Sequence, residues 1–210
     1  MNNLRDQAIG DFLDELAGKA ATPGGGAAAG VGGAMGAALL SMVANLTIGR
    51  KKYAEVEGQM RAILARTEAI RAEMTNLAQL DQHVFERVMA AYKMPKESDS
   101  QQSSRNAAIQ NALMDATQVP LKIAAQAREL LGFGPTLAAK GNRNAISDVG
   151  VGILMAEAAL NGALMNVAIN LGMIDDEAFV AGIDKEVMAL HEGRSQLREE
   201  TLTAVNAALR

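Results

Sequence analysis

One acid stands where the pattern of the chain calls for an apolar residue. Val56, Met60, Ile63, Thr67, Ile70, Met74, Leu77, Asp81, Val84 and Val88 recur at alternating spacings of four and three, which is one face of a helix. Asp81 lies on that apolar seam. Burying an ionised carboxylate is costly unless something compensates, so an acid there needs a partner, a shifted pKa or a role. Spacing alone leaves two readings open. One is a buried ion pair or register-fixing polar residue, and the other is a carboxylate that performs acid–base chemistry.

The run Thr22-Pro23-Gly24-Gly25-Gly26 is a second candidate. Glycines at a helix start let backbone N–H groups approach an anion or a carbonyl, and they also permit close helix packing. The spacing is not G-x-G-x-x-G and no G-K-[ST] follows, so nucleotide-binding fingerprints are excluded. Arg50-Lys51-Lys52 could clamp substrate carboxylates or lie solvated at a helix boundary. Gly141-Asn142 and Ser147-Asp148 bracket a turn and a helix cap, or take part in substrate recognition. His83 and His191 are the only histidines and make no H-x-x-x-H pair. Cysteine is absent, which removes thiolate nucleophiles, iron–sulfur clusters and cysteine zinc sites, and no metal is expected.

The elements that must position these residues read as helices. Of 210 residues, 40 are alanine and only 3% are aromatic, which points away from sandwiches and barrels. A first helix is expected over residues 4–18, ending near Gly18. Thr22 as N-cap and Pro23 as first helical residue predict a second helix that runs to about Thr47 and is closed by Gly49. A third spans 53–92 up to Met94-Pro95, and the serine-rich stretch 97–104 reads as a loop. The stretch 105–131 is helical with a kink or break at Pro120, and Gly132-Phe133-Gly134-Pro135 is its stop. The last helix starts at Asp175-Asp176-Glu177 and continues to the C-terminus.

From Thr22 to Gly49 no residue is charged, and Val149 to Met173 carries only Glu157. Both segments are long enough for a bilayer. The first is mostly Gly and Ala through its first half, which gains little from lipid, so two uncharged helices at the centre of a soluble bundle or dimer are expected. The small residues Gly26, Gly30, Gly33 and Ala37 would admit a neighbouring helix closely. The N-terminal stretch mixes charges and lacks the apolar core of a secretory signal, giving a cytoplasmic expectation without membrane attachment. A net charge of −4 offers no electrostatic case for nucleic acid. The fold class is therefore all-α: a helical bundle of long helices with two nearly uncharged central helices, in one domain over 1–210.

Four segments together resemble the formiminotransferase-cyclodeaminase C-terminal family, which includes stand-alone methenyltetrahydrofolate cyclohydrolases and formiminotetrahydrofolate cyclodeaminases. They are FLDELAGKAATPGGGAAAGVGGAMGAALLSMVANLTIGRKKY, LDQHVFERVMAAYKMP, ATQVPLKIAAQARELL and GNRNAISDVGVGILMAEAALNGALMNVAINL. The resemblance covers nearly the whole chain, and the TIGRKKY segment looks closer to the cyclohydrolases. It implies a homodimer acting on a small-molecule folate substrate without a cofactor. It also implies that Asp81, four residues before Phe85, is catalytic. Carried over in the same way, Pro23, Gly24, Gly25, Gly26, Thr47, Gly49, Arg50, Lys51, Asn142, Ser147 and Asp148 match segments near the folate site. Ala27 and His83 depart from the family pattern, where serine and glutamate are frequent, so neither is expected to be essential.

Overall fold

The computed structural model describes residues 4–210, and the described residues form helices and no strand. After a 3-10 turn at Leu4–Asp6 come α1 (Ile9–Leu16), α2 (Gly25–Thr47), α3 (Glu57–Tyr92), α4 (Asp99–Lys140), α5 (Ile146–Leu171), α6 (Glu177–His191) and α7 (Arg194–Ala208). Helices α2, α3, α4 and α5 pack in a cycle as an up-and-down four-helix bundle, with α7 laid against α4 and α5. Leu40, Met60, Ile70, Met74, Leu113, Ile123, Leu130, Leu137, Ile153 and Leu160 fill the centre.

The two nearly uncharged segments are α2 and α5, and they run antiparallel side by side. A Cβ on Gly36 would meet the Gly152 carbonyl at 2.8 Å, while Gly25 lies beside Asn166 at the other end of α5. Small residues also bring α2 against α3. A Cβ on Gly30 would stand 2.8 Å from that of Ala78, and Ser41 and Thr67 join hydroxyls at 2.8 Å across the same seam. Both α2 and the Arg143–Leu171 stretch are long and apolar enough to cross a membrane, and about half of each apolar stretch is covered inside the bundle.

Several boundaries differ from the sequence expectations. The first helix divides into the 3-10 turn and α1. Helix α2 begins at Gly25 with extended Gly24 as N-cap, so Thr22 and Pro23, joined by a cis peptide, precede it. The stretch from 99 onward is helix because Ser98 and Gln101 form a reciprocal capping box that nucleates α4. Neither Pro120 nor Gly132–Pro135 ends α4, which carries both prolines inside it. Leu130, Leu131, Gly134 and Leu137 are buried there, and that packing outweighs two missing N–H donors. Gly193, at φ +65°, breaks the final stretch into α6 and α7.

Candidate active site

The seam of α3 is buried from Met60 to Val88 except at Asp81, whose carboxylate opens into a cavity of about 420 Å³. Thr22, Gly24, Gly25 and Gly26 form one wall, and Val84, Phe85, Val88, Met89 and Tyr92 continue along α3 as another. Helix α5 contributes Asn166, Ile169 and Asn170. Asp81 is the one charged side chain among the lining residues.

Three influences act on that carboxylate. Burial raises its pKa from 3.8 to about 6, while the Ala27 N–H donates to it and pulls the other way. Gly24 has no side chain to cap α2, so Asp81 reaches across from α3 and accepts from the first turn. The positive end of the α2 dipole faces the same oxygens and favours the ionised form. Gly26 makes this approach possible, because a Cβ there would overlap the carboxylate. The glycine run therefore admits a side chain of the same protein as well as lining the cavity.

Asn166 and Asn170 were not singled out by sequence reasoning. Asn166 Nδ2 donates to the Gly162 carbonyl at 2.8 Å, and Asn170 Nδ2 donates to the Ala116 carbonyl at 3.2 Å. With the amino groups so engaged, both residues have their carbonyl oxygens left to accept. The cavity combines a carboxylate and two amide oxygens on largely apolar walls, an environment for a cationic or N–H-rich group. Their signal in the sequence was a pair of amides at i, i+4 in the last, otherwise apolar turns of that helix, Gly162 to Leu171.

The remaining sequence candidates lie elsewhere. Pro23 is buried and lines a neighbouring cavity rather than that of Asp81. Thr47 and Gly49 lie at the opposite end of α2, roughly 30 Å from Gly26 by the rise of a helix. There Thr47 Oγ1 donates to the Val43 carbonyl at 2.7 Å and accepts from the Asn142 N–H at 2.9 Å. Asn142 Nδ2 donates to the Leu46 carbonyl, and its Oδ1 accepts from Asn144 N–H. Thr47 and Asn142 thus lock the turn before α5 onto the end of α2. Gly49, at φ +74°, reverses the chain after α2. These contacts present Arg50, Lys51, Lys52 and Arg143 around a second, open cavity of about 440 Å³. Ser147 and Asp148 occupy the first turn of α5 beside it, and neither caps the helix as the sequence suggested. Within one chain, the basic cavity and the Asp81 cavity stand at opposite ends of the α2/α5 pair.

Residues 8–189 match the model of the formiminotransferase-cyclodeaminase family. The chain belongs to this family. It is 44% identical over 202 residues to the methenyltetrahydrofolate cyclohydrolase of Methylorubrum extorquens, covering 96% of this chain and 97% of that one. The formimidoyltransferase-cyclodeaminase of Rattus norvegicus is 34% identical over 177 residues, which are 84% of this chain and 33% of that protein. Against such bifunctional relatives the chain spans about a third of their length. The crystal structure of formiminotetrahydrofolate cyclodeaminase from Thermotoga maritima superposes with a TM-score of 0.88 at 31% identity, over 99% of this chain and all of that one.

Two outcomes follow from the geometry of this cavity. Gly26→Ala drives a methyl group into the Asp81 carboxylate, so it should lower stability by about 1–3 kcal/mol and activity by about a hundredfold. Denaturant titration and an activity assay check both. Asp81→Asn should raise stability at pH 8. The folded protein holds the Asp81 proton more tightly than the unfolded chain, so the carboxylate's cost develops as pH rises from 3.8 through about 6 and is full above that. The gap corresponds to about 3 kcal/mol, or a melting temperature roughly 5–10 °C higher for the asparagine variant. Thermal melts should show the gain at pH 8 and none at pH 3.5; equal melting temperatures at pH 8 would remove the desolvation cost from the account.

Proposed function

We propose that this protein hydrolyses 5,10-methenyltetrahydrofolate to 10-formyltetrahydrofolate. The observation that carries the reading is Asp81 alone as a charged group in a largely apolar cavity at the start of α2. The substrate carries a cationic carbon bridging N5 and N10, and a carboxylate with no cation beside it among the cavity's lining residues attracts it. Ionised Asp81 takes a proton from water as the water oxygen bonds to that carbon, giving a neutral tetrahedral intermediate. The carboxylic acid then returns the proton to N5 as the C–N5 bond breaks. The hydroxyl proton leaves as the formyl carbonyl forms on N10, so one proton is released overall. A pKa near 6 suits both halves of this cycle near neutral pH. Asn166 and Asn170 orient the water or the ring N–H groups.

The second reading is a cyclodeaminase, in which N10 attacks a formimino carbon and ammonia leaves; it is favoured by the full-length likeness to the Thermotoga maritima structure. The near-equal length and higher identity of the Methylorubrum extorquens cyclohydrolase favour hydrolysis. Supplying each substrate separately to the purified protein tests the choice. Formation of 10-formyltetrahydrofolate without ammonia release from the formimino substrate is expected; ammonia release as the dominant activity would overturn the assignment.

The protein acts as a homodimer in this reading, with the outer face of α2 and α5 as the contact. Met35, Met42, Leu46, Val151 and Leu154 are exposed there, with Met165 and Ile169 at 72% and 66%. A two-fold axis across the middle of this face sets the end of one α2 beside the start of the other. The partner's basic cavity then borders the Asp81 cavity and holds the glutamate tail through Arg50 and Lys51. We assign residues 1–210 to one cyclodeaminase/cyclohydrolase-like domain in the cytoplasm, with no cofactor, nucleic acid or membrane involved.

A further inference from the structure

Asp81 and Gln82 are neighbours on α3, so their side chains leave the helix about 100° apart. Asp81 faces the largely apolar cavity, and Gln82 lines a different one of about 360 Å³. The two cavities adjoin at Thr22, which lines both. The second is the more polar of the two, with Gln7, Gln79 and Gln82 in its walls beside Glu15. Gln79 Oε1 accepts the Leu4 N–H at 3.3 Å, which holds the N-terminal turn over it.

Gln82 is the informative residue. It is only 9% exposed, and its carboxamide makes no hydrogen bond among the described residues. Its carboxamide is not among the buried unpaired atoms, so the polar end of an otherwise covered side chain opens on the cavity and is paired by what enters it. A carboxamide offers an N–H donor beside a carbonyl acceptor. That pattern complements a cyclic amide or aminopyrimidine edge through two parallel hydrogen bonds.

We infer that this second cavity is the subsite for the 2-amino-4-oxo edge of the substrate's pterin ring, with Gln82 as its principal hydrogen-bonding partner. The inference rests on the folate reading above and extends it. Gln7 and Glu15 add an amide and a carboxylate acceptor for the ring's N–H and amino groups. The aminobenzoyl ring occupies the apolar cavity between Phe85 and Tyr92. The N5–C–N10 bridge joins the two rings, and this arrangement sets it where the cavities adjoin at Thr22, with Asp81 on the apolar side. The chemistry requires the reacting carbon there.

Calorimetric titration of the full chain with 5-formyltetrahydrofolate and with p-aminobenzoylglutamate tests the assignment. Gln82→Met should weaken 5-formyltetrahydrofolate by at least about tenfold and change p-aminobenzoylglutamate by less than about twofold. Gln7→Ala, at the half-buried rim, should weaken the first ligand by about threefold without disturbing the core. Wild-type affinity for 5-formyltetrahydrofolate in both variants would overturn the pterin subsite while leaving the folate reading intact. Failure of the wild-type protein to bind either ligand would overturn the folate reading and the subsite together. An equal loss of both ligands in Gln82→Met, with Gln7→Ala unchanged, would also overturn the subsite, since it would report a disturbed cavity rather than a lost pterin contact.

Discussion

Asp81→Asn is expected to lower turnover of 5,10-methenyltetrahydrofolate by about a thousandfold while its binding stays within about tenfold of wild type. Asparagine keeps the shape of the side chain and can still accept from the Ala27 N–H, so the start of α2 remains capped. It cannot take a proton from water or return one to N5. It also loses the charge that attracts the cationic carbon, which accounts for the modest effect on binding. Single-turnover absorbance measurements and equilibrium dialysis separate the two quantities. A residual rate within about tenfold of wild type would reduce Asp81 to a helix cap, because a cap alone survives this substitution.

The second large effect concerns the two ends of α2. Arg50→Ala/Lys51→Ala should raise the KM for a polyglutamylated substrate by about a hundredfold, since charged hydrogen bonds to carboxylates are lost. The partner supplies these cations in the proposed dimer, so two defective variants should repair one another. When Asp81→Asn and Arg50→Ala/Lys51→Ala chains are mixed and allowed to exchange subunits, each mixed dimer contains one intact site and one doubly defective site. Random exchange should therefore restore about a quarter of wild-type specific activity at low substrate concentration. No recovery after verified subunit exchange would show that each chain builds its site alone. The roughly 30 Å along α2 would then place Arg50 and Lys51 outside the folate site altogether.

The seam of α3 was legible because a four-helix bundle buries one stripe of each helix, and that stripe leaves a 3.6-residue period in the sequence. Asp81 interrupts the period, so its position inside the bundle could be read directly. The paired uncharged helices were legible for a related reason: small residues without charge have no use on a solvated face. Proline and glycine misled in α4, where burial of Leu130, Leu131 and Leu137 outweighs local propensity. Ser98-x-x-Gln101 was a visible helix start hidden in a polar, serine-rich stretch. Asn166 and Asn170 escaped notice because they are uncharged and lie far from the other candidates in sequence. The separation of the candidate residues was implicit in the length of α2. Gly26 and Thr47 on one unbroken helix cannot meet a single small ligand from the same chain, yet both belong to segments that resemble the family's folate site.

The most direct test follows near-ultraviolet absorbance of 5,10-methenyltetrahydrofolate with purified protein between pH 5 and pH 8, after subtraction of the spontaneous rate in each buffer. In the proposed mechanism the ionised form of Asp81 is the active one, so kcat/KM should rise with pH and level off above a midpoint near 6. Accelerated loss with that midpoint is the expected result. Loss at the spontaneous rate across the whole range would contradict the cyclohydrolase assignment, and acceleration that does not change with pH would contradict the role given to Asp81.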